Sequence, residues 1–545
     1  MPQPAAPDAP PVTVRHLRQA LLWPLRLIHD SIADTAEQRQ VPWQVLRDGG
    51  DACPWREHVD EFHGGSFHQR HYNEFVSFLP YVQRFLYGEG RSQRMAGGAA
   101  QGSPMRVFRR RDLAALRVQL HPGDAPLLLQ VVHVDLYFFY GVDVVLLNVE
   151  IAADDLPLPQ AGELMYRFGR AYPGGWDAHG QPLHCPAAVE WLDAHGQVVA
   201  RSDAGHAEPF LAHVAEHRAP RIAAHWEHVM APLVSHHSEQ PGRLRFRQIE
   251  YYRMPMMAYL AVDDPQRLTR ADYLRLGLVT GDQDGADDVP GDFERQFCYD
   301  RFWGDRGAAP HTRYLCSGLS LVVVGDARSA FFRDGERGVL AQFRHQHFLL
   351  FLIAHFQKAA LLMMSDQLAE ALMGLDVARP ETVKRFKRQI RRNYVAFLGF
   401  THRYWFHEVS EQAHVKALFH LCTQHLGTDA VYAEVKERIH DMNAYLDADA
   451  LRRQANTVVR LTVVTIFGLV GTITTGLLGM NLLDQSHKPL LERALLFTGV
   501  LAVATVLTLY TIAKSKRLSD FLDVASDERV GGLDKLRALA AVWRR

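Results

Sequence analysis

Gly471-Thr-Ile-Thr-Thr-Gly-Leu-Leu-Gly-Met-Asn481 ends the first of two long uncharged segments near the C-terminal end of the chain. Residues 461–483 contain no Asp, Glu, Lys or Arg. At about 1.5 Å per residue, a helix over this segment would cross the roughly 30 Å hydrocarbon core of a bilayer. Residues 494–513 form a second uncharged segment of sufficient length. The pattern predicts a transmembrane hairpin at 457–513, whose first helix covers about 457–480 and whose second covers 494–513.

Basic residues flank the predicted hairpin on the side of both chain termini. Three arginines precede the uncharged run that begins at residue 461, and three basic residues follow the second uncharged run: Arg452, Arg453, Arg460, Lys514, Lys516 and Arg517. Because basic residues are enriched on the cytoplasmic side of membrane helices, the pattern predicts that both termini are cytoplasmic.

The composition of the whole chain is that of an ordinary folded protein. Of 545 residues, 48% are hydrophobic and 22% charged. The 60 Lys and Arg residues balance 61 Asp and Glu residues, which argues against nucleic acid as a partner. Five cysteines without a C-x-x-C pair indicate neither a disulfide framework nor a zinc knuckle.

Hydrophobic periodicity divides the rest of the chain. Runs rich in β-branched and aromatic residues, mixed with helical segments, predict an α/β (α+β) cytoplasmic domain at 105–335. Around it we expect a disordered lead-in at 1–13, a helical N-terminal extension at 14–104, a long helical bundle and stalk at 336–456, and a cytoplasmic tail at 514–545. The apolar run at 348–356 is too short to span a bilayer and is predicted to pack in the bundle.

A polar stripe runs along the first predicted span. Its members recur at spacings of three and four, which places them on one helix face: Thr462, Thr465, Leu469, Thr472 and Gly476. Small residues and hydroxyls on such a face serve either tight helix packing or contact with water. Since two helices cannot enclose a channel, a pore would need one such stripe from each of several copies.

Asn481 is the residue most suited to contact a hydrated ion. A carboxamide oxygen is a neutral acceptor, and Mg²⁺ gives up its water molecules reluctantly. A ring of asparagines would hydrogen-bond the hydration shell of the ion without removing it. The alternative role of Asn481 is a helix cap.

Gly479-Met480-Asn481, at the end of the first of two C-terminal spans and behind a large soluble region, resembles the filter motif of the CorA family of divalent-cation channels. The resemblance implies a homopentamer in a bacterial inner membrane, with a stalk helix that continues into the pore. It also implies roles for individual residues: Gly479, Met480 and Asn481 as the selectivity filter, Thr472 and Gly476 as the polar pore, Leu469 in a hydrophobic constriction, and Asn456 in a ring at the inner mouth. Leu478 differs from the aromatic residue usual in the family.

The expected function is passive transport of a divalent cation, Mg²⁺ foremost, without a cofactor and without enzymatic activity. Zn²⁺, Co²⁺ or Ni²⁺ is the alternative within the same family, and a sensor or enzyme tethered by the hairpin is the alternative of another class. The soluble part shows no nucleophile–base pattern or phosphate-binding loop that would favour an enzyme. Carboxylates of the stalk are candidates for a regulatory metal site between copies: Asp441, Asp447 and Asp449.

Overall fold

A computed structural model of the chain describes residues 11–29, 41–58, 69–88, 104–240, 244–250, 253–281, 292–302, 304–376, 379–479 and 489–526. The chain divides into two units, Met1–His440 and Asp441–Arg545. The first unit holds a mixed β-sheet with helices, and the second holds helical segments.

Fourteen strands within the described residues form one sheet. Their bounds are β1 Thr13–His29, β2 Trp55–His58, β3 Met105–Arg110, β4 Ala115–Gln119, β5 Leu127–Phe139, β6 Val142–Pro157, β7 Ala188–Leu192, β8 Val198–Arg201, β9 Val234–Ser235, β10 Leu244–Gln248, β11 Met256–Val262, β12 Cys298–Phe302, β13 Thr312–Cys316 and β14 Ser320–Asp326. The main order is β12-β13-β14-β11-β1-β6-β5-β4-β7-β8, while β10 pairs with β1 and β9, and β3 pairs with β2 and β5. Two pairs, β11 with β14 and β9 with β10, are parallel, and the other pairs are antiparallel.

The α-helices lie between and after these strands. Their bounds are α1 Gln44–Asp48, α2 Gln69–Val76, α3 Pro80–Tyr87, α4 Leu158–Arg167, α5 Ala207–His217, α6 Ala224–Met230, α7 Arg270–Leu278, α8 Phe293–Phe297, α9 Ala330–Arg333, α10 Val339–Gln342, α11 Phe348–Met373, α12 Pro380–Arg403, α13 Ala413–Leu426, α14 Thr428–Gly479 and α15 Leu490–Ser526. A π-helical turn at Phe343–His347 joins α10 to α11.

The predicted helical extension at 14–104 is wrong for its first segment, because β1 is a central strand of the sheet. Pro24 explains the outcome: inside a helix it would remove a hydrogen bond and clash with the preceding turn. In β1, Pro24 pairs with β6 and lies just beyond the residues that pair with β11, so its missing N–H interrupts little of the ladder. The predicted boundary at 104/105 is also wrong, since β1 and β2 belong to the same sheet as the later strands.

Helices lie on both faces of β1. Successive strand residues point to opposite faces, and Trp23 contacts Trp226 of α6 on one of them, with ring centroids 6.2 Å apart. Arg26 lies on the other face and donates to Glu370 of α11 at 2.9 Å. The helix α11 therefore packs on the sheet as well as against α12 and α13, and most of its apolar side chains are buried. The prediction that its apolar run at 348–356 packs among helices did not include the sheet.

A charged group is buried within the sheet, where β1, β5 and β6 adjoin. Glu150 accepts a hydrogen bond from Arg18 at 2.5 Å and lies 2.8 Å from the Nε2 atom of His133. Burial by itself would raise the pKa of the Glu150 carboxyl, but hydrogen bonds and charge from His133 and Arg18 outweigh burial and lower that pKa to about 2. The carboxylate therefore stabilises the fold in its charged form.

We predict that Glu150→Gln destabilises the protein by about 2 to 3 kcal/mol at neutral pH, because Arg18 loses a buried anionic partner. The wild-type contribution is fully present above the unfolded-state pKa near 4.5 and is lost as the pH falls towards about 2. Chemical denaturation of the detergent-solubilised chain at several pH values measures both effects.

Asp155→Asn is the matched control, because the Asp155–Arg15 pair on the same two strands is largely exposed. Exposed pairs contribute less than about 1 kcal/mol, and Asn tolerates the left-handed φ of 54° at this position. An equal loss of stability in the two variants would contradict the role of the buried carboxylate.

Candidate ion pathway

Two helices among the described residues are long and apolar enough to cross a membrane, by length and composition. They are Val339–Met373, with a mean hydropathy of 1.6, and Leu490–Tyr510, with a mean hydropathy of 1.9. Burial separates them, since 72% of the first apolar window is buried inside the protein but only 6% of the second. The first is thus a core helix of the sheet unit. The second, within α15, exposes its apolar side chains and coincides with the second predicted span.

The first predicted span coincides with the C-terminal part of α14, which ends at Gly479. Within this part of α14, the apolar stretch that the structure describes is Gly468–Leu477. Apolar side chains in this part are exposed, Leu469 at 53% and Leu477 at 52%. Exposed leucines are costly in water and favourable in hydrocarbon, so this segment shares the surface character of α15.

The predicted polar stripe lies on the open side of α14. Thr465, Leu469, Thr472 and Gly476 are all exposed. Val470 and Thr474, by contrast, are buried, at 6% and 1% exposure. At about 100° per residue, these two side chains point roughly opposite to the stripe. Packing within the chain therefore uses the other face of the helix, and the stripe is left for water or for another chain.

Like α14, the helix α15 buries small and hydroxyl side chains on one side. Ala504 and Thr508 are buried, at 5% and 7% exposure, and lie one turn apart. Small and hydroxyl residues on the covered side, with Val503, Val506 and Leu507 exposed elsewhere, are typical of membrane helices that pack closely.

The threonine hydroxyls of the stripe are tied back to the helix. Thr465 donates to the carbonyl of Leu461 and Thr472 to the carbonyl of Gly468, each at 2.9 Å. A threonine hydroxyl has one donor and two acceptor lone pairs. Because the donor is used within the helix, the oxygen presents an acceptor to its surroundings, which suits the water molecules around a cation.

The other predicted site residues are placed less fully. Gly479 is the last residue of α14 and is exposed, while Met480 and Asn481 lie outside the described residues. Asn456 and Thr462 belong to α14, but their side chains lie outside the described part.

The two stalk carboxylates whose side chains the structure describes, Asp441 and Asp447, do not converge on one site within the chain. Asp441 and Asp447 are exposed on α14, and six residues on a helix place them about 120° apart. The side chain of Asp449 is not among those described. Within the described ranges, no group of three His, Cys, Asp or Glu side chains is placed to hold a metal ion. A site built on these aspartates would need a second copy.

One polar cluster was missed by sequence reasoning. His213 and His217 on α5 lie beside His236 and His237, which follow β9. The signal in the sequence was a His pair four residues apart on a helix, but the pairing with a distant His doublet depends on the fold.

The chain matches no protein-family model, and it matches no curated protein sequence. Its resemblance to CorA channels is therefore carried by Gly479-Met480-Asn481 and by the hairpin around that motif. Function has to be argued from the chemistry of these residues.

We predict that Thr472→Cys reacts with a charged, membrane-impermeant thiol reagent about ten-fold faster than Thr474→Cys, because only the first position lies on the open face. The two variants carry the same substitution two residues apart. The unmodified protein gives the background, which we expect to be low because four of its five cysteines are buried. Labelling in proteoliposomes, followed by mass spectrometry, measures the rates. Equal rates at the two positions would show that the stripe does not face water.

Proposed function

We propose that this protein is a CorA-like channel that conducts divalent cations, Mg²⁺ foremost, across a bacterial inner membrane. The observation that carries the proposal is the exposed stripe of α14, Thr465, Leu469, Thr472 and Gly476, which lies opposite the packed face and runs up to Gly479. Met480 and Asn481 follow directly in the sequence.

A pore of this kind requires several copies. One hairpin offers one polar stripe, and hydroxyls that face hydrocarbon alone would be unfavourable. Association of copies around an axis would turn each stripe inward and leave the exposed apolar side chains of α15 towards lipid. The resemblance to CorA proteins favours five copies.

The chemistry of the stripe favours a hydrated cation. Thr465 and Thr472 present neutral oxygen acceptors, because their donors are used within the helix. Neutral acceptors bind the outer face of a hydration shell weakly, at several successive levels, which allows an ion to enter and to leave. In the proposed channel Asn481 adds a ring of carboxamide oxygens at the outer mouth. Mg²⁺ keeps its waters in such a passage.

The membrane potential can drive uptake without a coupled reaction. Moving one elementary charge through 100 mV releases about 2.3 kcal/mol, so a dication gains about 5 kcal/mol. Zn²⁺, Co²⁺ and Ni²⁺ carry the same charge and remain the alternative substrates, since neutral oxygens distinguish these ions poorly.

We predict that Asn481→Ala lowers Mg²⁺ uptake about ten-fold or more, because each subunit loses a hydrogen bond to the hydrated ion. Thr472→Ala removes one hydroxyl per subunit from a passage that other oxygens still line, and it should lower uptake by about three-fold. Flux into proteoliposomes, with Mg²⁺, Zn²⁺, Co²⁺ and Ni²⁺ compared, measures both variants.

Native mass spectrometry in detergent provides the control for assembly, with five copies expected for the wild type and both variants. Wild-type uptake by an assembled Asn481→Ala protein would remove the filter role of Gly479-Met480-Asn481. Absence of flux for every ion in the wild type, with a monomer as the stable species, would favour a hairpin that only tethers a sensor or enzyme.

Asp441, Asp447 and Asp449 suit a regulatory role in the same assembly. Carboxylates from neighbouring copies would bind intracellular Mg²⁺ and stabilise one state of the channel, because a ligand shifts an equilibrium through its different affinity for the two states. Carboxylate oxygens are ligands that Mg²⁺ prefers.

We therefore predict that millimolar Mg²⁺ protects the wild type from limited proteolysis and lowers its flux. The double variant Asp441→Asn/Asp447→Asn should lose both effects, while Glu437→Gln, an exposed carboxylate on the same helix, should retain them. Proteolysis with and without Mg²⁺, read by gel electrophoresis, and flux at two internal Mg²⁺ concentrations measure the response. Unchanged Mg²⁺ protection in the double variant would exclude these aspartates as regulators.

A further inference from the structure

Three imidazoles lie side by side on the surface of the sheet unit, far along the chain from the predicted pore. His213 and His217 occupy one face of α5, and His237 lies two residues beyond β9. Their ring centroids are 4.5 Å apart for His213 and His217, 4.8 Å for His217 and His237, and 6.1 Å for His213 and His237. All three side chains are half-buried.

These separations are those of a metal site. With metal–nitrogen bonds of about 2.0 to 2.1 Å in a tetrahedron, three histidine rings on one ion have centroids about 5 Å apart. Two of the three separations are close to this value, and the third, between His213 and His237, is about 1 Å longer. Two histidines four residues apart on a helix are also a common pair of metal ligands.

The ring orientations also differ from those of a bound state. The rings of His217 and His237 are stacked at an interplanar angle of 9°, so their nitrogens do not point at one centre. With the side chains in this arrangement, no three donors among the described residues form a metal site. Rotation of these half-buried rings about their side-chain torsions would redirect the nitrogens without a backbone change.

The surroundings keep the imidazoles ready to bind. Burial, followed by the charge of neighbouring imidazoles and arginines, lowers the pKa of His213 and of His237, which favours the neutral form that binds a metal. His217 is the last residue of α5. The partial negative charge at a helix C-terminus favours a cation there.

Two of the positive neighbours have acidic partners of their own. Arg221 donates to Asp203 at 2.6 Å, and Arg247 donates to Glu370 at 2.9 Å. The adjoining cavity of about 250 Å³ is lined by Glu227 among others, so a carboxylate also lies on its wall.

We propose that His213, His217 and His237 form a binding site for a divalent transition metal ion of the Zn²⁺, Co²⁺ or Ni²⁺ class, with water as a further ligand. Imidazole suits these ions, whereas Mg²⁺ prefers oxygen. The site lies in Met1–His440 and does not depend on the pore proposal, because its ligands and its ion differ from those of the pathway.

The test uses the full chain in detergent, with any affinity tag removed and the metal stripped by a chelator. Titration with Co²⁺ should give the intense visible absorption of a tetrahedral nitrogen site, at one ion per chain, and a tenfold or larger excess of Mg²⁺ should not compete. The variant His213→Gln/His237→Gln should weaken this binding about ten-fold or more. His195→Gln, an exposed histidine in the turn between β7 and β8, is the control and should bind as the wild type does.

A second measurement needs no variant. Zn²⁺ should protect His213, His217 and His237 of the wild type from modification by diethyl pyrocarbonate, read by peptide mass spectrometry, and leave His195 reactive. Equal modification with and without Zn²⁺, or an unchanged Co²⁺ spectrum in the double variant, would overturn the site. Flux is not a readout in either experiment, so a failed pore proposal and a failed metal site are told apart.

Discussion

Backbone pairing of β1 holds the sheet together. Within the described residues, β1 is the link between β11 on one side and β6 on the other, so without it the sheet would separate into β12-β13-β14-β11 and β6-β5-β4-β7-β8. Hydrogen bonds on both edges and apolar contacts on both faces bury almost every residue from Leu17 to Leu27. The ion pairs of Arg26 with Asp366 and Glu370 then fix α11 to the same strand. The core helix and the two halves of the sheet thus depend on one segment of the chain.

That segment is also where sequence reasoning failed, for a physical reason. Leu17, Leu21 and Leu25 recur every four residues, which fits one face of a helix and, because four is a multiple of two, one face of a strand equally well. Pro24 was the local signal against a helix. The segment forms a strand because it pairs with β6 and β11, which are more than a hundred residues away in sequence. Local periodicity contains no information about these partners.

The apolar length of α15 and of the end of α14 could be predicted because it is a local property of the sequence. Backbone groups in hydrocarbon must be satisfied within the helix, so a membrane helix needs an uninterrupted apolar length that the sequence shows directly. The stripe of α14 was visible for the same reason, since helical spacing is also local. The face that packs, marked by Val470 and Thr474, was not predicted, because apolar and threonine residues occur on both sides of this helix. The histidine cluster was beyond local reasoning, as α5 and the segment after β9 meet only in the fold.

The two proposed cation sites differ in the ligand atoms that they offer, and this difference bears on selectivity. Nitrogen and oxygen ligands alike bind Zn²⁺, Co²⁺ and Ni²⁺ more tightly than they bind Mg²⁺, so no set of direct ligands would select Mg²⁺ by affinity. In a passage lined by neutral hydroxyls such as that of Thr472, the affinity of direct ligands does not matter, because the hydroxyls contact the water shell rather than the ion. Such a passage admits a hydrated dication without binding it tightly, and Mg²⁺, which dehydrates reluctantly, is among the ions that suit it. Imidazoles such as those of His213 and His237 bind the ion itself, and they exclude Mg²⁺ because Mg²⁺ prefers oxygen ligands to nitrogen. A chain with both would conduct dications inside their hydration shells and would bind only the transition metal ions by direct coordination.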